Sequence, residues 1–174
     1  MSKFSIIPLM LLAGVMFAAS AQLRSSFEGG DFSGWTTQGE GWSIYEKAAS
    51  AGVKSAMCTV SKGDAPGLKA CVMVIKKAEP GWVIKAELDV AGKVKSNSSK
   101  VSLAVLCIDE AGNTLQEVKK QITAPTAEFK KVILSELVIP TGTAEAYFMI
   151  VVEVSKEAKA KEWWRFDNVV IELK

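Results

Sequence analysis

The 174-residue sequence contains no histidine. Its absence rules out a Ser-His-Asp or Cys-His nucleophile and any histidine-ligated zinc. Cysteine is scarce: Cys58, Cys71 and Cys107 each sit inside an apolar stretch, with no C-x-x-C or metal-ligand spacing. An odd count excludes a disulfide framework, so the three read as small buried hydrophobes. A Cys58–Cys71 bridge between neighbouring strands stays open for an exported chain. Charge of either sign is not in excess, with 21 basic against 19 acidic residues. Such a balance gives no field that would steer the protein toward nucleic acid or acidic lipid. A phosphate-binding loop is also missing, because the glycine-rich stretch 27–35 is followed by neither a helix nor a lysine at Walker spacing.

Long apolar runs are absent except for one, from Ile6 to Ala19, preceded by Lys3 and followed by Ala19-Ser20-Ala21 as an A-x-A-like cleavage site. This pattern predicts a secretory signal peptide over residues 1–21 and a mature domain over 22–174. With nothing comparable further along, no membrane span is expected after processing, and the location is secreted or extracytoplasmic. The mature length fits one domain with a substantial core.

Helical periodicity is lacking in the body of the chain; short β-rich runs alternate with glycine, proline or polar punctuation. The expected strands are Gly41–Tyr45, Ser55–Val60, Leu68–Ile75, Trp82–Val90, Val101–Asp109, Leu115–Ile122, Lys130–Leu137, Ala146–Val154 and Trp164–Leu173. Turn chemistry separates them at Lys62-Gly63-Asp64, Glu79-Pro80-Gly81, Glu110-Ala111-Gly112-Asn113 and Pro140-Thr141-Gly142. The stretches 101–109 and 146–154 are apolar on both alternating faces and belong in the middle of a sheet. In 82–90, Lys85, Glu87 and Asp89 share one half-exposed face. The polar stretch Lys93–Lys100 reads as an exposed turn, and Lys156–Lys161 as a charged loop too short for a free-standing helix. The fold class is therefore all-β, a sandwich or barrel.

Several short motifs run through the chain in order: Phe27-Glu28 with Gly30 and Trp35, Pro80-Gly81 before a strand, Asp109 with Gly112-Asn113, Pro140 with Gly142, and the closing Phe166-Asp167-Asn168-Val169. Together they resemble the carbohydrate-binding modules of the cellulose- and xylan-binding type that accompany many secreted glycosidases, over essentially the whole of 22–174. The resemblance implies a galactose-binding-like β-jelly-roll of two antiparallel sheets. It also implies adjacent first and last strands and a structural calcium where they meet, held by Glu28 and Asp167 together with backbone carbonyls, for which the carbonyl of Gly30 is a candidate. A hard cation wants six to eight oxygens, and two carboxylates with carbonyls of a glycine-rich turn supply that kind of donor; Asp31 is a further candidate. Asn168 stands where the family often has a second aspartate, which removes one charge.

Trp35, in register with the family's buried tryptophan, is expected in the core together with Phe27 and Phe32. Sugar binding of this kind uses exposed rings against the apolar face of a pyranose, and Trp42, Tyr45, Trp82 and Trp163 are the candidates. No catalytic residue is assigned: the acid pair Glu28 and Asp167 would be ionised and occupied if it held calcium, unlike a general acid that must keep its proton. The expectation is a non-catalytic protein whose partner is a polysaccharide or cell-surface glycan. The alternative is a cell-envelope structural or interaction module on the same scaffold, with an exported protein as partner.

Overall fold

The computed structural model describes residues 21–76, 78–122 and 125–174. The leader segment 1–20 lies outside the described residues. Strand β1 covers Ala21–Ser25, β2 Thr36–Gln38, β3 Trp42–Tyr45, β4 Ser55–Val60, β5 Gly67–Val74 and β6 Val83–Lys93. Strand β7 covers Ser99–Ile108, β8 Thr114–Ile122, β9 Lys130–Ile133, β10 Leu137–Val138, β11 Glu145–Val154 and β12 Glu162–Leu173. Among the described residues there is no helix, and every strand pair is antiparallel.

Two sheets form a β-sandwich. One runs β10-β6-β12-β4-β3, with β1 also on β12 and β9 also on β6; the other runs β2-β5-β11-β7-β8. Alternation in the sequence decides which side chains enter the space between them. In β6 the inward set Ile84, Ala86, Leu88 and Val90 is buried, while Val83, Lys85, Glu87 and Asp89 are half-exposed. Opposing contributions come from Phe148, Ile150 and Val152 of β11 and Leu103 and Val105 of β7, all at 1% exposure or less. Burial of such side chains, at about 1.5–3 kcal/mol each, is what holds the two layers together.

The first and last strands are adjacent, Ala21 to Ser25 pairing with Leu173 to Val169. The doubly apolar stretches lie inside their sheet: β11 is flanked by β5 and β7, and β7 by β11 and β8. Five points need correction. The expected strand 130–137 is two short pieces, β9 and β10, both on the same edge of β6, and β1 and β2 were not foreseen as strands. The turn 93–100 is not wholly exposed, since Ser98 and Ser99 are buried beneath it. Cys58 and Cys71 are free thiols on β4 and β5, in opposite sheets rather than on neighbouring strands. Finally, β12 begins at Glu162, so Trp163 lies within the strand and not in a preceding loop.

Candidate functional site

On the outer face of the seven-stranded sheet, β3, β4 and β12 place a group of side chains that period-2 alternation turns away from the core. Arg165 lies opposite Met57, Met57 opposite Ser43, and Trp163 opposite Thr59. Met57, Trp163 and Arg165, with Tyr45 at the end of β3 and Lys161 just before β12, line an open pocket of about 240 Å³. The Arg165 guanidinium is 4.4 Å from the Trp163 ring centroid and 5.3 Å from those of Tyr45 and Phe129. All three lie within the roughly 6 Å range of cation–π attraction. Its Nη2 donates to Ala127 O at 3.1 Å, while its buried Nε has no partner among the described residues. Burial lowers the Arg165 pKa and the Tyr45 hydroxyl works in the opposite direction. Neither Arg165 nor Lys161 has a carboxylate partner among the described residues.

The four aromatic residues expected to bind sugar therefore separate. Tyr45 and Trp163 share the pocket. Trp42 turns inward: it faces Cys58 across β3 and β4, packs 6.0 Å from Phe166 and 6.4 Å from Phe32, and its Nε1 donates to Gln38 O at 3.3 Å. It is half-buried wall rather than platform, because even-numbered positions of this strand face the core. Trp82 sits just before β6, packed against the core, whereas Trp163 faces Lys93 at the other end of that strand. Ten residue steps at about 3.3 Å put the two ends roughly 33 Å apart, too far for one pocket. Arg165, Met57, Lys161 and Phe129 were not foreseen. The first had a signal, since the order Trp163-Trp164-Arg165 places the arginine on the same strand face as Trp163.

The opposite outer face, on the five-stranded sheet, is largely aliphatic along β5 and β11 and polar along β8, where Glu117, Lys119 and Gln121 are exposed. Val72 and Val74 of β5 lie opposite Met149 and Tyr147 of β11, Ala70 lies opposite Val151, and Leu68 lies opposite Glu153; Leu68 is 68% and Val74 45% exposed. Tyr147 is the one ring of this row; its hydroxyl donates to Glu145.

Glu28 and Asp167 meet the same loop. Glu28 Oε1 accepts from the backbone N–H groups of Val53 and Lys54 at 3.0 and 2.8 Å. Asp167 Oδ2 accepts from Ser50 N and Oγ and from Ala51 N at 2.8 to 3.0 Å. Gly52, between these contacts, has φ +75°, and a Cβ there would lie 2.5 Å from the Glu28 carboxylate. Gly30 has φ +81° and lies under the Lys54 ammonium, which pairs with Glu46 at 3.6 Å. Asp31 is exposed and accepts from Ser33 N at 3.0 Å, a bond that lowers its pKa. Asn168, at φ 48°, marks the register shift in β12 and donates to Asp89 Oδ2 at 3.2 Å. Asp167 is fully buried, yet its Oδ1 has no hydrogen-bond partner among the described residues. A buried carboxylate oxygen without a donor suits a cation ligand, so these residues fit calcium on that count. Among the described residues no three His, Cys, Asp or Glu side chains converge, so main-chain carbonyls would have to complete the shell.

Neither a family model nor a curated protein matches the sequence. Solved structures do match in shape. The enzymatically active domain of bacteriophage CBA120 tailspike protein 4 superposes with a TM-score of 0.63 at 16% identity, over 86% of this chain and 20% of that one. This chain thus spans about a fifth of that protein. The CBM22-1 xylan-binding domain of Paenibacillus barcinonensis Xyn10C gives 0.60 at 20% identity, over 87% and 92% of the two chains. The C-terminal family 22 carbohydrate-binding module of Clostridium thermocellum Xyn10B gives 0.59 at 15%, over 86% and 91%. The likeness extends along nearly the full length of both modules, and the chain has the β-sandwich fold of carbohydrate-binding modules.

Proposed function

We propose that the protein is an exported, non-catalytic carbohydrate-binding module whose sugar site is the pocket of Tyr45, Trp163 and Arg165. The observation that carries this reading is the convergence of two half-exposed rings and unpaired cationic groups on one open surface. Rings offer a pyranose an apolar face, and N–H groups fix its hydroxyls. Support also comes from the fold, shared with modules described as xylan-binding or carbohydrate-binding. The leader pattern at residues 1–21 supports export.

The test is affinity gel electrophoresis of the mature protein through a panel of plant and microbial polysaccharides. Retention by at least one is expected. Trp163→Ala should weaken it at least about tenfold, equal to roughly 1.4 kcal/mol, and Trp82→Ala should leave it unchanged. No retention by any polysaccharide rejects the reading.

Calcium belongs to the same proposal as a structural ion held by Glu28, Asp167 and the Gly30 carbonyl. It would neutralise two carboxylates and tie the loop 50–54 to the junction of the first and last strands. Glu28 and Asp167 orient that loop through their backbone hydrogen bonds.

A second reading, an envelope module that meets an exported protein, has its own observation: the aliphatic outer face around Leu68 and Val74. Cross-linking of the mature protein to another exported protein that survives Trp163→Ala but disappears with Leu68→Lys, with no retention by any polysaccharide, would favour this reading over the first.

A further inference from the structure

The pocket has a charge of one sign. Its lining consists of two aromatic rings, a methionine, and the cations Lys161 and Arg165, with no carboxylate among them. All four ion pairs recorded among the described residues lie elsewhere, at Lys54, Lys69, Lys131 and Lys174. Arg165 is half-buried against the Trp163, Tyr45 and Phe129 rings and makes one hydrogen bond, from Nη2 to Ala127 O, so other donors of its fork have no protein partner among the described residues. A guanidinium withdrawn from water with donors unused gains more from an anion than one already paired. The planar fork of arginine matches a carboxylate in two parallel hydrogen bonds, and a lysine nearby adds a point charge. A volume of about 240 Å³ is below the roughly 300–1,000 Å³ of drug-sized sites, which suits one sugar ring rather than a buried oligomer. The nearly balanced charge of the whole chain, 21 basic against 19 acidic residues, means that attraction to an acidic polymer must come from a local site.

Resting on the carbohydrate-binding reading above, we infer that this pocket takes a uronic acid residue of an acidic polysaccharide. The sugar ring lies on Tyr45 or Trp163, and its carboxylate pairs with Arg165 and Lys161. The same carboxylate could be presented by a polymer of uronic acids or by a uronic acid side group on a neutral chain.

The test compares affinity electrophoresis of the mature protein in polygalacturonate and in its carboxyl-reduced form, and in glucuronoxylan and unsubstituted xylan. Dextran sulfate serves as a polyanion without carboxylates. At low salt each acidic polymer should retain the protein at least about tenfold more strongly than its neutral counterpart, and added salt should weaken this preference. Lys161→Gln, at an exposed position, should remove most of the preference while circular dichroism stays unchanged. Arg165→Gln should remove it all, provided that its spectrum shows a folded protein. Preference for one acidic polymer alone identifies the source of the carboxylate and still supports the inference.

Equal retention by acidic and neutral forms overturns the acidic ligand but leaves carbohydrate binding standing. An acidic preference untouched by Lys161→Gln overturns the site, as does dextran sulfate bound as well as polygalacturonate. Retention by nothing fails the carbohydrate reading itself.

Discussion

Among the described residues, Glu162 accepts more hydrogen bonds than any other carboxylate and has no place in the pocket. It is fully buried at the start of β12. Its Oε1 accepts from Ser96 N and Oγ, both at 2.7 Å, and from Ser98 N at 3.4 Å. Its Oε2 accepts from Ser99 N and Oγ at 3.0 and 2.6 Å. Ser99 Oγ in turn accepts from Trp164 Nε1 at 3.0 Å. Burial alone would raise the carboxyl pKa, but the hydrogen bonds from Ser99 and Ser96 outweigh it and hold the group at about 2, below the ordinary 4.5. A depressed value means that the stabilisation is present above pH 4.5 and is lost as pH falls toward 2. The shift corresponds to on the order of 3 kcal/mol at neutral pH. Glu162→Gln should cost on the order of 1–3 kcal/mol at pH 7, because an amide must turn its own donors toward some of these N–H and O–H groups. Urea unfolding at pH 7, 4 and 3 should show the gap between wild type and variant closing as pH falls. A gap of constant size would remove the carboxylate from the account. Nothing in the sequence separates Glu162 from the acids around it, because its partners lie more than sixty positions away.

At the scale of elements, the loop between β3 and β4 is the piece most dependent on distant acids. Its backbone N–H groups at 50, 51, 53 and 54 are satisfied by Asp167 and Glu28 rather than by a strand. Gly52→Ala would place a methyl against the Glu28 carboxylate at a φ that L-residues rarely adopt. A loss of about 2 kcal/mol or more in chemical unfolding is expected, with faster hydrogen exchange confined to residues 46–54 if the loop alone opens. Calcium at a hundredfold excess over its Kd should stabilise the wild type by about 2.7 kcal/mol. Glu28→Gln, Asp167→Asn and Gly52→Ala should each abolish that increment in calorimetry; an increment unchanged in Asp167→Asn would place any ion elsewhere.

This element also shows what was legible. Period-2 alternation and turn residues located nine strand regions, because burial of one strand face writes itself into local sequence. Strands β1 and β2 escaped: in Ala21–Ser25, beside the leader, the alternation amounts to only Ala21 and Leu23, and Thr36–Gln38 is three exposed residues with no hydrophobic pattern. Alternation could also have separated Trp42 from Tyr45, since the two lie an odd number of residues apart and face opposite sides of β3. The contacts that Phe129 and Ala127 make with Arg165 were not readable, because they depend on a loop that comes to Arg165 from outside β12.

The three cysteines report on the whole molecule, because Cys58 belongs to one sheet and Cys71 and Cys107 to the other, and all three are buried. Burial pushes the Cys58 and Cys71 thiols up to about 12 and raises Cys107 as well. The thiolate is the reactive form, so at pH 8 a native Cys58 or Cys71 presents it at on the order of one part in ten thousand, in a core that the reagent cannot enter. If the two sheets share one core and open together, reduced protein in native buffer should give essentially no reaction with a disulfide reagent. In urea all three thiols should become reactive over one transition, superimposable on the change in tryptophan fluorescence, to which buried Trp164 contributes. Mass spectrometry of partly labelled samples would then find unlabelled and fully labelled molecules with few between. Reaction of Cys71 or Cys107 in native buffer while Cys58 stays protected, or Cys107 labelling at lower urea than Cys58, would show that the five-stranded sheet opens by itself. In that case the aliphatic face of that sheet, and not the pocket on its partner, would be the first place to look for a protein ligand.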